Sequence, residues 1–148
     1  MANYYGFGRT NTFAVKDIQA LRARLGPDFT VLDRSEEGPG RVSIFADDGD
    51  GTGFWSRWIY SEDDDNIDEH SYEEPEELYV PDVIAEYLQD GQVAVFMHAG
   101  AEKQRYIVGY AVAVGCDGRQ VRLSLDDIYE AAATAFGVNP GSISSAMY

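Results

Sequence analysis

Arg105-Tyr106-Ile107-Val108-Gly109-Tyr110-Ala111-Val112-Ala113-Val114, then Cys116-Asp117-Gly118, then Arg119-Gln120-Val121-Arg122-Leu123, is the stretch on which the fold turns. After Arg105 the residues are β-branched, aromatic or small and show no helical period, which predicts a strand. Asp117-Gly118 supplies a tight hairpin turn, and Arg119 to Leu123 is the returning strand. Tyr106, Val108, Tyr110, Val112 and Val114 share a bulky face. Ile107, Gly109, Ala111 and Ala113 share a mostly small one, which a helix could approach closely. With both faces apolar, this strand is expected at the centre of a sheet, buried on both sides.

The neighbouring segments extend the pattern. Gln92 to His98 is a strand with Val93, Val95 and Met97 on one side, and Gly100 to Glu102 turns the chain into the long strand. Downstream, Ser124 is placed to cap a helix with Asp126 and Asp127 in its first turn. Its stripe is Ile128, Ala132 and Phe136, and Gly137 ends it. Asn139 to Tyr148 is a loosely packed tail. Upstream, Tyr4 to Asn11 is aromatic and Gly-rich and leads into a strand over Thr12 to Val15. Asp17 caps a helix through Leu25 with Ile18, Leu21 and Leu25 on one face, and Gly26-Pro27 stops it. Phe29 to Asp33 and Arg41 to Ala46 are strands. Asp47 to Gly53 reads as a Gly/Asp hairpin turn from the latter into Phe54 to Tyr60. Pro81 fits the first position of a helix with Val83, Ile84, Tyr87 and Leu88 buried. The order β-α-β-β-β-α-β-β-β-α, joined by short turns, predicts one α+β domain over residues 1–148, a largely antiparallel sheet with about three helices.

Charge is distributed unevenly. Asp47 to Asp90 holds sixteen carboxylates and one base, Arg57, a net 1 − 16 = −15, which is the formal charge of the whole chain. The other 104 residues balance ten acids against ten bases. Ser61 to Glu77 has ten carboxylates and no apolar period, which predicts an acidic loop. A field of this sign repels nucleic acid and anionic lipid and favours basic partners. No apolar run approaches the roughly 20 residues of a membrane span. The single cysteine, Cys116, excludes an internal disulfide, and cytoplasmic residence is expected.

The sequence carries no catalytic pattern. No Ser stands in a nucleophile elbow, and no phosphate-binding Gly loop precedes a helix. A Cys116–His98 pair is the one conceivable nucleophile and base, with Cys116 in a turn. Asp48-Gly49-Asp50-Gly51-Thr52-Gly53 resembles the start of a calcium loop, but position 12, which must be a bidentate Glu, is Ile59. No enzyme activity, cofactor or metal site is expected.

The acidic run is instead a binding candidate. It is punctuated by Trp55, Trp58, Tyr60, Tyr72 and Tyr79, whereas disordered solvating segments are poor in aromatics. Both its ends are held by regular structure. Carboxylates spaced along a surface can stand in for phosphates, which DNA carries at about one per 1.7 Å of duplex axis. In this charge architecture the chain resembles the acidic DNA-mimic inhibitors of mobile elements, the anti-CRISPR and anti-restriction proteins. Asn3-Tyr4-Tyr5-Gly6, Arg9-Thr10-Asn11, Val15-Lys16-Asp17, Gly109 to Val114 and Ser124 to Tyr129 are similar to small proteins of phages and plasmids. The resemblance implies the basic DNA-binding surface of a host nuclease or CRISPR effector as partner, within a bacterial cytoplasm. Glu62, Asp63, Asp64, Asp65, Asp68, Glu69, Glu73, Glu74, Glu76 and Glu77 are the expected phosphate surrogates, with Trp58, Tyr60 and Tyr72 as apolar anchors. The rival expectation is a small adaptor that binds through an apolar sheet face or through Tyr4 to Phe7, its acidic loop only solubilising. A homodimer is compatible with either.

Overall fold

The computed structural model of the protein describes residues 4–46, 51–59, 76–103 and 105–146. In chain order the elements are β1 (Tyr4–Thr10), β2 (Phe13–Ala14), α1 (Ile18–Leu25), β3 (Phe29–Asp33), β4 (Arg41–Ala46), β5 (Ser56–Ile59), β6 (Glu76–Tyr79), α2 (Val80–Val83), β7 (Val93–Glu102), β8 (Tyr106–Gly115), β9 (Gln120–Ser124) and α3 (Asp127–Phe136). All strand pairings are antiparallel. The main sheet runs β2-β4-β1-β7-β8-β9 with β3 on the other edge of β4, and β5 and β6 form a separate two-stranded ribbon. The domain is therefore α+β and largely antiparallel, as the sequence pattern leads one to expect.

Local signals explain several boundaries. Asp17 Oδ1 accepts the Ala20 N–H at 3.0 Å and caps α1, whose Leu21 and Leu25 are buried. Gly26 ends it at φ +75°, a left-handed conformation that favours glycine, and the Arg57 guanidinium packs against it. The β8–β9 hairpin turns at Cys116-Asp117-Gly118, with Gly118 at φ +88°.

Tyr4 to Thr10 is a full strand rather than an entry segment, and it lies between β4 and β7. Its glycines, which read as loop signals, admit a close backbone neighbour. The Gly6 N–H donates to Gly51 O at 2.9 Å, and a Cβ on Gly8 would stand 2.6 Å from Gly53 O. β1 and β2 are one strand broken by a bulge. Arg9 opposes Phe45 and Phe13 opposes Val42, so Thr10, Asn11 and Thr12 stand against Ile44 and Ser43. The Thr10 hydroxyl accepts the Ile44 N–H at 2.9 Å, and Asn11 Oδ1 accepts the Val95 N–H at 2.8 Å. These side chains replace ladder bonds that the bulge removes.

The expected hairpin between Arg41–Ala46 and Phe54–Tyr60 does not form. β5 pairs with β6, with Ser56 opposite Tyr79 and Ile59 opposite Glu76. Glu76 and Glu77 thus belong to a strand, not to the acidic loop. The reason is Trp55, which is fully buried on the main sheet. Its ring stacks on Phe29 at 5.9 Å and meets Phe96 edge-on at 4.9 Å, and its indole N–H donates to Met97 O at 3.2 Å. Burying the indole carries β5 across the sheet face instead of along its edge. The helix expected from Pro81 is one α-turn continued by a 3₁₀ segment, Ile84–Tyr87, with Val80, Ile84 and Leu88 buried.

One face of the sheet holds the core. Ile44, Val42, Phe96, Val112 and Val114 are covered by Leu21 and Leu25 of α1, by Val80, Ile84 and Leu88, and by Trp55 and Leu78 of the ribbon segment. The other face is open. The small face of β8 is not covered by a helix, which corrects the expectation that this strand is buried on both sides. α3 is also not seated as expected: Ile128 and Phe136 are exposed, and Ala133 is the buried residue. Ser124 is not its cap. The first-turn Asp127 carboxylate accepts the Ser124 N–H at 2.7 Å instead. Trp55→Ala is expected to remove about 3–5 kcal/mol of stability in urea denaturation, as for other buried large-to-small changes. A loss under about 1 kcal/mol would show that the indole does not organise the covered face.

Candidate functional site

Two surfaces and one buried cluster qualify as candidates. The first is the acidic ribbon. Trp55, just before β5, and Arg57 within it face inward, and Trp58 stands outward, 56% exposed and directly opposite the exposed Glu77. The aromatic and acidic expectations for Trp58, Glu76 and Glu77 therefore meet on one ribbon. Glu62, Asp63, Asp64, Asp65, Asp68, Glu69, Glu73 and Glu74, with Tyr60 and Tyr72, lie outside the described residues. Their segment departs at Ile59 and returns at Glu76, which are paired across the ribbon. Asp82, Glu86 and Asp90 continue the exposed carboxylates beyond it.

Arg57, the one base of this segment, faces the body. Its guanidinium lies over Gly26 at the end of α1 and 3.9 Å from the half-exposed Asp28. A cation at a helix C-terminus is favoured by the helix dipole. The ion pair itself contributes no more than about 1 kcal/mol. The larger consequence is electrostatic: the segment's only positive charge is directed at the body, toward Gly26 and Asp28.

The buried cluster centres on His98. Its ring is stacked between Phe54 and Tyr110, each with centroids 5.0 Å away, and Tyr4 stacks on Phe54 at 5.1 Å. Nδ1 lies 2.8 Å from Gly53 O and Nε2 lies 2.5 Å from Tyr4 Oη. A carbonyl only accepts, so Nδ1 carries the proton and Nε2 accepts from the Tyr4 hydroxyl. Both ring nitrogens are engaged, and His98 stands opposite Tyr110, well along β8 from the exposed Cys116 in the turn. The Cys116–His98 pair does not form. The cluster fastens the Gly53–Phe54 segment, and with it the ribbon, to the sheet. Among the described residues no three His, Cys, Asp or Glu side chains gather to hold a metal ion, and no helix is long and apolar enough to cross a membrane.

The second surface is the open sheet face. Strand register places Phe7 and Arg9 of β1, Met97 and Ala99 of β7, Gly109 and Ala111 of β8, and Leu123 of β9 on this side. Together with Phe45 and Leu125 they line a groove of about 800 Å³. Phe7 is 82% exposed, and Met97 and Leu123 are more than half exposed. Contiguous apolar exposure on this scale marks an interaction surface. The sequence signal for it was present in two places, the Val93-Val95-Met97 alternation and the small face of β8. Apolar side chains alone do not reveal whether a partner element in the same chain covers them. Compared with protein-family models, curated proteins and solved structures, the chain matches none.

Burial raises the Tyr110 phenol to about 12, with Tyr79 and Tyr4 adding to the effect. A folded value above the ordinary 10.0 means that the unfolded chain ionises first. The stability tied to the neutral phenol is intact below about pH 10 and is lost between about pH 10 and 12. Tyrosinate absorbance is expected to rise with a late component in that window which Tyr110→Phe diminishes, Tyr4 and Tyr79 also being raised by burial. A titration unchanged by the substitution would place the late component elsewhere.

Proposed function

We propose that the protein is a non-enzymatic inhibitor that acts as a DNA mimic. Its acidic segment occupies the basic DNA-binding surface of a host nuclease or CRISPR effector and excludes DNA. The observation that carries the reading is the segregation of charge: the segment 47–90 holds the whole −15, and the remainder of the chain is neutral. Three features support it. The acidic connection is held at both ends by paired ribbon residues, Arg57 is directed inward, and Trp58 stands exposed beside Glu77. Carboxylates in such an array speed encounter with a basic partner, and an aromatic that becomes desolvated slows departure.

Phosphate-like recognition is salt-dependent. Affinity for the target is expected to fall steeply between about 50 and 200 mM salt, as for protein–DNA complexes. The triple substitution of Asp63, Asp64 and Asp65 to Asn is expected to abolish inhibition while far-ultraviolet circular dichroism stays unchanged. A salt-independent isotherm, or full inhibition by the triple variant, would sink the mimic.

The exposed apolar face favours a second reading, an adaptor that binds its partner through the sheet with the acidic run as a solubilising insert. Replacing residues 61–74 by a short Gly/Ser linker separates the two. The mimic loses its partner and the adaptor keeps it.

A further inference from the structure

We infer that the open sheet face is a self-association surface, on which two copies of the chain pack face to face with each α3 seated on the other's groove. Four observations converge on a second copy as the occupant.

The first is the size of the surface. β4, β1, β7, β8 and β9 lie side by side, which at about 4.8 Å per strand spans about 24 Å. Their average length, at about 3.3 Å per residue, is about 25 Å. The projected area is on the order of 600 Å², before side-chain relief and α3 are added. A stable interface takes about 800 Å² from each partner.

The second is self-complementarity. The groove has a floor of small residues, Ala99, Gly109 and Ala111, between bulkier walls such as Phe7 and Leu123. The same chain carries a helix whose apolar stripe finds no seat: Ile128 is 63% and Phe136 79% exposed. A small-residue floor is the seat such a helix requires. A two-fold interface pairs the helix of each copy with the groove of the other.

The third is charge. Among the described residues, Arg9 is the one charged residue lining the groove. The groove lies outside 47–90, in the part of the chain where ten acids balance ten bases, so two strongly acidic chains meet away from their excess charge. The fourth is placement. The ribbon packs on the covered face through Trp55 and Leu78. Association through the open face therefore leaves both acidic ribbons on the outside.

The test is mass in solution, with the full chain. Sedimentation equilibrium at tens of micromolar is expected to give twice the 16.4 kDa chain mass. Phe7→Glu on the sheet and Phe136→Glu on α3 both alter exposed positions, so circular dichroism and the melting temperature should hold. Each is expected to weaken dimerisation at least a hundredfold. Because the contact is apolar, raising salt should leave the dimer intact, whereas target binding by the acidic segment weakens. The Asp63, Asp64, Asp65 triple variant should also remain dimeric, so failure of the mimic and failure of the dimer are separable. A wild-type chain of monomer mass overturns the inference and leaves the face to a different partner. A dimer indifferent to both substitutions overturns it too, and one indifferent only to Phe136→Glu overturns the seating of α3.

Discussion

The indole of Trp55 determines how the rest of the molecule is arranged. It fills the space between Phe29 and Phe96, and its N–H is satisfied by Met97 O. A buried tryptophan needs both contacts, apolar walls and an acceptor, and the sheet supplies both at one place. The chain before it must run flat against β1 to reach that place, which only Gly6, Gly8 and Gly53 permit. The chain after it must then continue over the covered face. β5 consequently cannot extend the main sheet beside β4, and it recruits β6 as its partner. Placement of the β5–β6 ribbon on one side of the sheet thus follows from one apolar side chain.

The His98 cluster supports the same arrangement from the polar side. A histidine at the end of a strand beside a lone cysteine invites a catalytic reading. Its hydrogen bonds to Gly53 O and Tyr4 Oη instead tie three distant segments together, β1, β7 and the 51–54 stretch. Phe54 and Tyr110 sandwich the ring and exclude water from those bonds. Hydrogen bonds so enclosed are strong, and breaking one leaves a buried polar group without a partner.

What the sequence disclosed were the features with local causes. α1, β3 and β4 lie where Asp17, Gly26 and strand alternation put them, and the Asp-Gly hairpin turns where expected. β1 was hidden because its glycines serve a tertiary contact and look like loop signals in isolation. The β5–β6 pairing was hidden because nothing local to Ser56–Ile59 specifies a partner beyond position 75. The covered face of β8 could not be chosen, since Val112 and Ala111 are both compatible with burial. α3 shows the limit most clearly. Its Ile128–Ala132–Phe136 stripe has the period of a core helix, yet the stripe faces solvent. Periodicity identifies an apolar face, and it says nothing about which chain supplies the cover.

The two exposed surfaces have opposite physical requirements. An apolar face gains from association because water is released, and it tolerates salt. An acidic face resists association with its own kind and is screened by salt. The ribbon, with its exposed Glu76 and Glu77, and the apolar groove lie on opposite sides of one sheet. With layers about 10 Å apart, two sheets packed on their open faces hold their ribbons on the order of 30 Å from each other. That is about three Debye lengths at 0.1 M salt, so mutual repulsion between the ribbons is largely screened. At about 0.01 M the Debye length itself reaches roughly 30 Å, and the same charges act on each other. Were the acidic segment instead attached at the sheet edge beside β4, where a simple hairpin would have put it, its carboxylates would border the apolar contact at every ionic strength. The burial of Trp55 thus sets the ribbon on the side of the sheet opposite the exposed apolar groove.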